Sequence, residues 1–358
     1  MLNNRYWQDK RFSLSKRGST KCTALLLCLF FFSSTGCSRP DADQLFSDYQ
    51  QRLDRVLNLT PVELTLAPLP PLPAIRELQQ SIAESQLNLL DLVALRHCNL
   101  QQLVAERNNS LGKVMSSANL LGYELQLIQA LQPCLNHPAL SQKLRSELQQ
   151  IYQQKQQQLP IVLDNFLTTD LTLRKQLSGQ QRQLRTGASQ AVTEPLTALI
   201  NLNVLKQQIL ESKEDLYHAL TADFINQQLG VLYHGNFIAD WQYSLRRSNA
   251  WLSSLNQQLS KVDMMALCQD PEKTTILQNI LTQIFATKLQ SYLAELDSLS
   301  YQLLPEFQQL YLGTALQASV EARMAQPTIE LRQLLKQHVS WYQRLQQQCH
   351  LKAPSSSG

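Results

Sequence analysis

The sequence predicts an all-α protein, an elongated antiparallel helical bundle with a proline-rich strap near its N-terminus. Three observations favour this fold class. The 358 residues include only 10 Gly and 14 Pro, fewer than the turns of β-sandwiches, barrels and propellers require. Leu and Gln, which both favour helices, dominate the composition. No segment alternates apolar and polar residues over six positions between turn signals, so no strand is predicted.

Residues 1–36 are typical of a lipoprotein signal peptide. A basic segment ends at Lys21, and an apolar run of about ten residues follows it, whereas a transmembrane helix needs about 20. Small residues then precede Cys37, as in the bacterial lipobox, where the Cys is acylated with palmitate-type chains and becomes the mature N-terminus. More than one chain gives stable anchoring. An ordinary cleavage site before an incidental Cys is the alternative.

Two neighbouring features bear on this leader. Ser38 follows the lipidated Cys, which is similar to outer-membrane lipoproteins, whereas Asp at that position favours retention in the inner membrane. The basic segment is long for a signal peptide. We therefore also expect that translation starts at Leu14 rather than at Met1.

The charge of the mature chain excludes nucleic-acid binding. The formal net charge is +4, but residues 1–36 hold six of the 32 basic residues and one of the 28 acidic residues. The remainder therefore carries one excess negative charge. It has no cluster of Lys and Arg that could pair with a phosphate backbone.

Four cysteines remain in the mature chain after lipidation of Cys37: Cys98, Cys134, Cys268 and Cys349. An even number in an oxidising periplasm predicts two disulfides. We favour Cys98–Cys134 and Cys268–Cys349, because helices that fold back antiparallel can join each pair. Four buried thiols are the alternative. Neither CxxC nor HxxxH spacing occurs, so no zinc site is predicted.

Apolar spacing and turn residues divide the mature chain into helices. The proline-rich strap covers residues 59–73, where five prolines forbid a helix. The predicted helices cover 41–58, 74–108, 117–131, 138–159, 161–178, 191–211, 213–229, 237–260, 274–304 and 327–349. We expect one domain over 37–351, with a loop or sub-domain break near 178–190, and a disordered tail over 352–358. A helical solenoid is the alternative architecture.

Known catalytic and cofactor motifs do not occur in the chain, so we predict neither an enzyme nor a cofactor or metal. Glu214 and His218 lie one helical turn apart, but such pairs are common by chance. The most polar stretch contains candidate contact residues for a ligand or partner: Glu106, Arg107, Asn108, Asn109 and Lys113. The alternative is that they only close the end of a helix.

Four segments resemble an uncharacterised family of Gram-negative, mainly gammaproteobacterial, lipoproteins, the domain of unknown function 3080 family. They are Asp48–Leu57, Ala94–Leu100, Ala105–Val114 and Trp341–Cys349. The resemblance implies an envelope location and one contiguous domain. It brings no assigned activity, so no functional residue is carried over.

We expect a lipid-anchored protein, located at the outer membrane and facing the periplasm, that acts as a non-enzymatic interaction or scaffold module. Its partners would be the membrane, through the anchor, and an envelope protein. One alternative is a protein that binds an apolar or glycan ligand in a groove between helices, which a pocket of several hundred Å³ lined by Leu and aromatic residues would favour. An envelope hydrolase or metalloenzyme would need convergent carboxylates or His in one cleft.

Overall fold

A computed structural model describes residues 41–60, 64–66, 68–83, 95, 98, 100–109, 112–179 and 182–351, without the side chains of Lys113, Glu214 and Leu216. These residues all belong to one compact unit. They form helices joined by irregular segments and contain no strand, which confirms the all-α class. The predicted signal peptide, Cys37 and the tail over 352–358 lie outside the described residues.

The helices are numbered in chain order. They are α1 (Ala42–Leu57), α2 (Ile75–Leu78), α3 (Leu100–Asn108), α4 (Ser117–Leu135), α5 (Gln142–Thr169), α6 (Leu171–Leu177), α7 (Thr193–Leu210), α8 (Ala222–His234), α9 (Phe237–Leu259), α10 (Met264–Cys268), α11 (Pro271–Ile280), α12 (Gln290–Tyr311), α13 (Gln317–Val320) and α14 (Gln326–Gln348). Two π-helices interrupt this series, π1 (Leu281–Leu289) between α11 and α12, and π2 (Glu321–Ala325) between α13 and α14.

Side-chain caps explain where several helices begin. An oxygen of the residue before the helix accepts a hydrogen bond from a backbone N–H of the first turn, which has no partner inside the helix. The capping residues are Ser116, Ser141, Asp170, Thr221, Asp263 and Asp270.

The helices enclose two apolar cores. The larger core contains Phe46 of α1 and Trp241 of α9, both fully buried. The smaller core lies among α3, α4 and α5 and includes Leu100 and Leu148. None of the described helices combines the length and the hydropathy that crossing a membrane requires.

Two disulfides form with the pairing that the sequence favours. Cys98 is bonded to Cys134 beside the smaller core, and Cys268 is bonded to Cys349 at the end of α14. The separations of 36 and 81 residues correspond to about 4 and 4.5 kcal/mol of stabilisation in the chain-entropy model. Disulfides of this kind indicate an extracytoplasmic location.

The single long helix predicted over 74–108 is wrong. α2 ends at Leu78, and Gln79 is extended with ψ of 115°. Asn165 of α5 explains the break. Its side chain accepts a hydrogen bond from the backbone N–H of Gln80 at 2.8 Å and donates one to the carbonyl oxygen of Gln80 at 2.9 Å. These bonds replace those that a continued helix would form.

The helix boundaries predicted at Pro138 and Pro160 are also wrong. α5 begins after Ser141 and continues through Pro160, just as α12 continues through Pro305. Leu159, beside Pro160, is buried against the larger core, whereas Pro160 itself is exposed. Packing of the flanking residues therefore offsets the roughly 3 kcal/mol that an internal proline costs.

The described parts of the proline-rich strap contain no helix. Two arginines bind its carbonyl groups. Arg174 donates from Nη2 to the oxygen of Pro73 at 2.6 Å, and Arg323 donates from Nη2 to the oxygen of Pro70. Leu64 and Leu72 pack against the larger core. The strap is therefore attached to the helices by both polar and apolar contacts.

Candidate functional site

A groove of about 950 Å³ lies beside the first turns of α1. Its walls are α1, the loop before α7, and the segment from the end of π1 into α12. We call it the α1–α12 groove. Five Ser and Thr side chains line it: Thr186, Ser189, Thr287, Ser291 and Ser298. Gln44, Asp48, Lys288 and Glu295 add further polar groups.

Glu295 of α12 fixes the loop that forms one wall. Its two carboxylate oxygens accept hydrogen bonds from the backbone N–H groups of Gly187 at 2.8 Å and of Ser189 at 2.7 Å. Gly187 has φ of +75°, a conformation that favours glycine. The loop therefore has a defined conformation at the groove.

The preceding part of this loop is bound to α9. The backbone N–H of Leu184 donates to Ser244 Oγ at 2.7 Å, and Arg182 lies 3.0 Å from a carboxylate oxygen of Asp240. Burial raises the pKa of the Asp240 carboxyl, and Arg182 offsets part of this shift. The segment predicted as a loop or sub-domain break is thus a loop packed on α9 and α12. The predicted domain limits stay predictions.

Asp43 holds the start of α1 in place. Its carboxylate accepts hydrogen bonds from Trp251 Nε1 at 2.7 Å, from Arg247 Nε at 3.0 Å and from Gln183 Nε2 at 3.3 Å. Phe46, one turn later, stacks on Trp251 with ring centroids 5.6 Å apart. The α1 wall of the groove is therefore attached both to α9 and to the loop.

Both carboxylates that line the groove already accept hydrogen bonds from neighbouring groups. Asp48 forms an ion pair with Arg52 at 2.9 Å, and Glu295 accepts the two backbone bonds described above. Tyr292 also lines the groove and is buried, and its burial raises the pKa of the phenol. The groove therefore offers hydrogen-bond donors and acceptors to a polar ligand.

A second cavity, of about 470 Å³, lies at the turn between α8 and α9. We call it the α8–α9 pocket. Val231, Leu232, Phe237 and Ile238 provide most of its apolar lining. A Cβ atom at Gly230 would meet no other atom within 4 Å, so this glycine borders open space.

A buried hydrogen-bond network joins α1, α9 and α14. Tyr49 Oη lies 2.7 Å from both His338 Nε2 and Tyr342 Oη, and His338 Nδ1 lies 2.8 Å from Asn256 Oδ1. The Asn256 amide nitrogen donates to the Leu334 carbonyl at 2.9 Å, so its oxygen faces the imidazole.

This orientation assigns the protons of the network. Asn256 Oδ1 can only accept, so Nδ1 of His338 carries the hydrogen, Nε2 accepts from Tyr49, and Tyr49 accepts from Tyr342. Burial lowers the pKa of His338 to about 3, which keeps the imidazole neutral. Tyr49 and His338 are both fully buried. The network therefore fixes three helices relative to one another and offers no accessible group for catalysis.

The candidate contact residues close the end of α3. Arg107 donates to the carbonyl oxygen of Gly112, and Asn109 Oδ1 accepts from the backbone N–H of Gly112 at 2.7 Å. Glu106 accepts a hydrogen bond from Gln102. These residues do not line either cavity, and a contact role for residues 106–113 stays a prediction.

The described residues do not test the other sequence candidates, the Glu214–His218 pair and Cys37. His218 Nδ1 lies 2.7 Å from the carbonyl oxygen of Asp215, and the side chain of Glu214 lies outside the described residues, as does Cys37. Within the described part of the chain, no three His, Cys, Asp or Glu side chains are grouped so that they could hold a metal ion.

Sequence reasoning did not find the α1–α12 groove. Thr186 and Ser189 belong to a segment that the sequence identifies only as a boundary, and Glu295 lies on a helix that apolar spacing predicts. The hydrogen bond between Glu295 and Gly187 joins residues 108 positions apart. No local pattern in a single sequence indicates such a pair.

Comparisons with known proteins give one match. A family model described as "Protein of unknown function (DUF3080)" matches residues 46–353. No curated protein and no solved structure matches the chain. The matched range contains every residue that lines the two cavities except Gln44 and Leu45 of the groove.

Proposed function

Since the chain belongs to the DUF3080 family of proteins of unknown function, we propose from its own residues that it is a lipid-anchored, non-enzymatic interaction module of the bacterial cell envelope. The α1–α12 groove carries the proposal. It is a defined concave surface lined by several Ser and Thr side chains, and it lies at the start of the first helix after the lipidated Cys37.

Chain geometry keeps the groove close to the anchor. Only residues 38–41 separate Cys37 from the first residue of α1. An extended chain spans at most about 3.6 Å per residue, so α1 begins within about 18 Å of the lipidated residue. Acyl chains on Cys37 would therefore hold the groove near the membrane surface, where it meets envelope partners.

The lipobox before Cys37 supports lipidation, and Ser38 supports an outer-membrane location facing the periplasm. The two disulfides support an oxidising compartment. Mass spectrometry of the N-terminal peptide tests the anchor. We expect acyl chains on Cys37 in the membrane fraction. An unmodified Cys37 in a protein that remains in the aqueous fraction contradicts it.

The alternative function is the binding of a small ligand, and each cavity favours a different chemistry. The five Ser and Thr side chains of the α1–α12 groove match a glycan, which offers many donors and acceptors of its own. The α8–α9 pocket matches a small apolar ligand, because its volume of about 470 Å³ lies in the usual range for ligand sites and its lining is mainly apolar.

Site-specific photocrosslinking in living bacteria tests the groove. A photoreactive residue replaces Ala294, which is exposed inside the groove, and in a control it replaces Ala318, which is exposed on α13. We expect an adduct at 294 that is absent at 318 and that weakens in a Cys37→Ser variant.

The nature of the adduct separates the two functions. A protease-sensitive adduct supports the interaction module, and an adduct that only glycan hydrolases release supports the glycan alternative. The same labelling at both positions, or none at 294, contradicts both roles of the groove.

A further inference from the structure

The exposed face of α12 continues beyond the α1–α12 groove. Its exposed residues recur at helical spacing: Ser291, Ala294, Ser298, Tyr301 and Pro305. The first three of them line the groove. Residues three or four positions apart lie on one face of a helix, one above the other. Tyr301 therefore lies one helical turn beyond Ser298, on the same face of α12 as the groove wall.

Tyr301 presents an uncovered aromatic ring. Its side chain is 79% exposed, and within the described part of the chain it forms no hydrogen bond, ring contact or cation–π contact. Tyr233 on α8 is also exposed, but the ammonium of Lys175 lies over its ring at 5.2 Å and the ring of His234 lies beside it. Tyrosine is enriched at binding surfaces, because it combines a large apolar face with a polar tip. The ring of Tyr301 is therefore available to a ligand of the groove.

The groove beside this ring contains polar side chains that are free to bind. Gln44, Lys288 and Ser291 line it and are exposed, and none of them has a hydrogen-bond or ion-pair partner among the described residues. Leu45 and Ala294 are the only lining residues with purely aliphatic side chains. A peptide helix needs a row of apolar pockets, and a peptide strand needs a sheet edge, which the described residues do not form. The lining therefore favours a ligand rich in hydroxyl or amide groups.

We propose that the α1–α12 groove and Tyr301 form one surface that binds an extended glycan chain along α12, with one sugar ring stacked on Tyr301. A pyranose ring has an apolar face of C–H groups, which packs on an aromatic ring, and hydroxyl groups at its edge, which bond to amide, ammonium and hydroxyl groups. Ser291 and Tyr301 are ten residues apart, about 15 Å along the helix axis, so the surface is longer than a disaccharide. The proposal rests on the glycan alternative for the groove and adds Tyr301 to it.

Isothermal titration of the full chain with N-acetylglucosamine oligosaccharides tests the surface, because these uncharged chains carry both amide and hydroxyl groups. The hexasaccharide is long enough to occupy the groove and reach Tyr301, whereas the disaccharide is not. We expect the hexasaccharide to bind about tenfold more tightly than the disaccharide. Tyr301→Ala should remove this difference, and Tyr301→Phe, which keeps the ring, should retain it. The matched control is Tyr233→Ala, because that tyrosine is exposed on a helix that does not line the groove.

A second variant, Ala294→Trp, fills the groove and should abolish the binding of both oligosaccharides. If it does so while Tyr301→Ala binds the hexasaccharide as tightly as wild type, the groove binds glycans and the extension over Tyr301 is wrong. Equal binding by wild type and all variants places the glycan elsewhere and overturns the proposal. No binding of either oligosaccharide by wild type also overturns it, and the crosslinking at position 294 then decides separately whether the groove contacts a protein.

Discussion

Replacing Lys155 by Met tests how the protein tolerates a buried charge. Lys155 Nζ lies 2.8 Å from Glu124 Oε1, and the two side chains are 8% and 5% exposed. The pair joins α5 to α4. Glu124 Oε2 has no hydrogen-bond partner. The carboxylate therefore depends on Lys155 for the compensation of its buried charge.

The expected magnitude follows from this dependence. Removing one partner of a buried ion pair costs about 3–5 kcal/mol, because it leaves an uncompensated charge. Lys155→Met should lose that much free energy of unfolding. The double variant with Glu124→Leu removes both charges and should return to within about 1 kcal/mol of wild type or exceed it. Lys143→Met on the same helix, where the lysine side chain is 89% exposed, should change the free energy of unfolding by less than about 0.5 kcal/mol.

Urea unfolding followed by far-ultraviolet circular dichroism measures all four proteins at pH 7 with the disulfides intact. The recovery in the double variant is the decisive result. If the double variant is as unstable as Lys155→Met alone, the loss comes from the packing of the lysine stem and not from the carboxylate. That outcome would refute the reasoning from buried charge.

Acid should destabilise the protein through His338, because its pKa is about 3 in the fold and about 6.5 in the unfolded chain. The unfolded chain then binds the extra proton, and the free energy of unfolding should fall by up to about 1.4 kcal/mol per pH unit as the pH drops from 6.5 toward 3. Urea titrations from pH 7 to 4.5 give the free energy of unfolding at each pH. This free energy should depend less on pH in His338→Gln than in the exposed control His218→Gln, and an equal dependence in both variants would contradict the assignment. Gly122→Ala should lower the free energy of unfolding by about 1–3 kcal/mol, because the added Cβ would lie 2.5 Å from the Cα of Ala222 where α4 meets α8. Gly230→Ala inside α8 should instead raise the free energy of unfolding by up to about 1 kcal/mol. If Gly122→Ala unfolded at a higher temperature than Gly230→Ala, the space around each glycine would not decide the stability of these variants.

Local sequence patterns predict the parts of this fold that depend on near neighbours. The first helix was predicted over 41–58 and observed at Ala42–Leu57, because its apolar residues recur at helical spacing. The disulfide pairs were predicted because helices that return antiparallel bring their ends together. Both inferences need only chain connectivity and the helical period.

Long-range contacts decide the parts that local patterns miss. The helix break at Gln80 depends on Asn165, 85 residues later, and nothing near Gln80 indicates it. A local rule predicts that a helix ends at a proline, yet Pro160 and Pro305 lie inside helices, where their neighbours are buried. The α1–α12 groove likewise depends on Glu295, which fixes a loop more than 100 residues earlier.

Both π-helices lie where N-terminal segments dock on the C-terminal half. α1 packs on π1, with the ring of Tyr49 5.6 Å from that of Phe285, and the strap reaches Arg323 in π2. A π-helix is a poor conformation by itself and persists where contacts compensate for it. These contacts, together with the Tyr49–His338 bond, make α1 part of the core. A force applied at the proposed anchor on Cys37 would therefore act through α1 on the core itself.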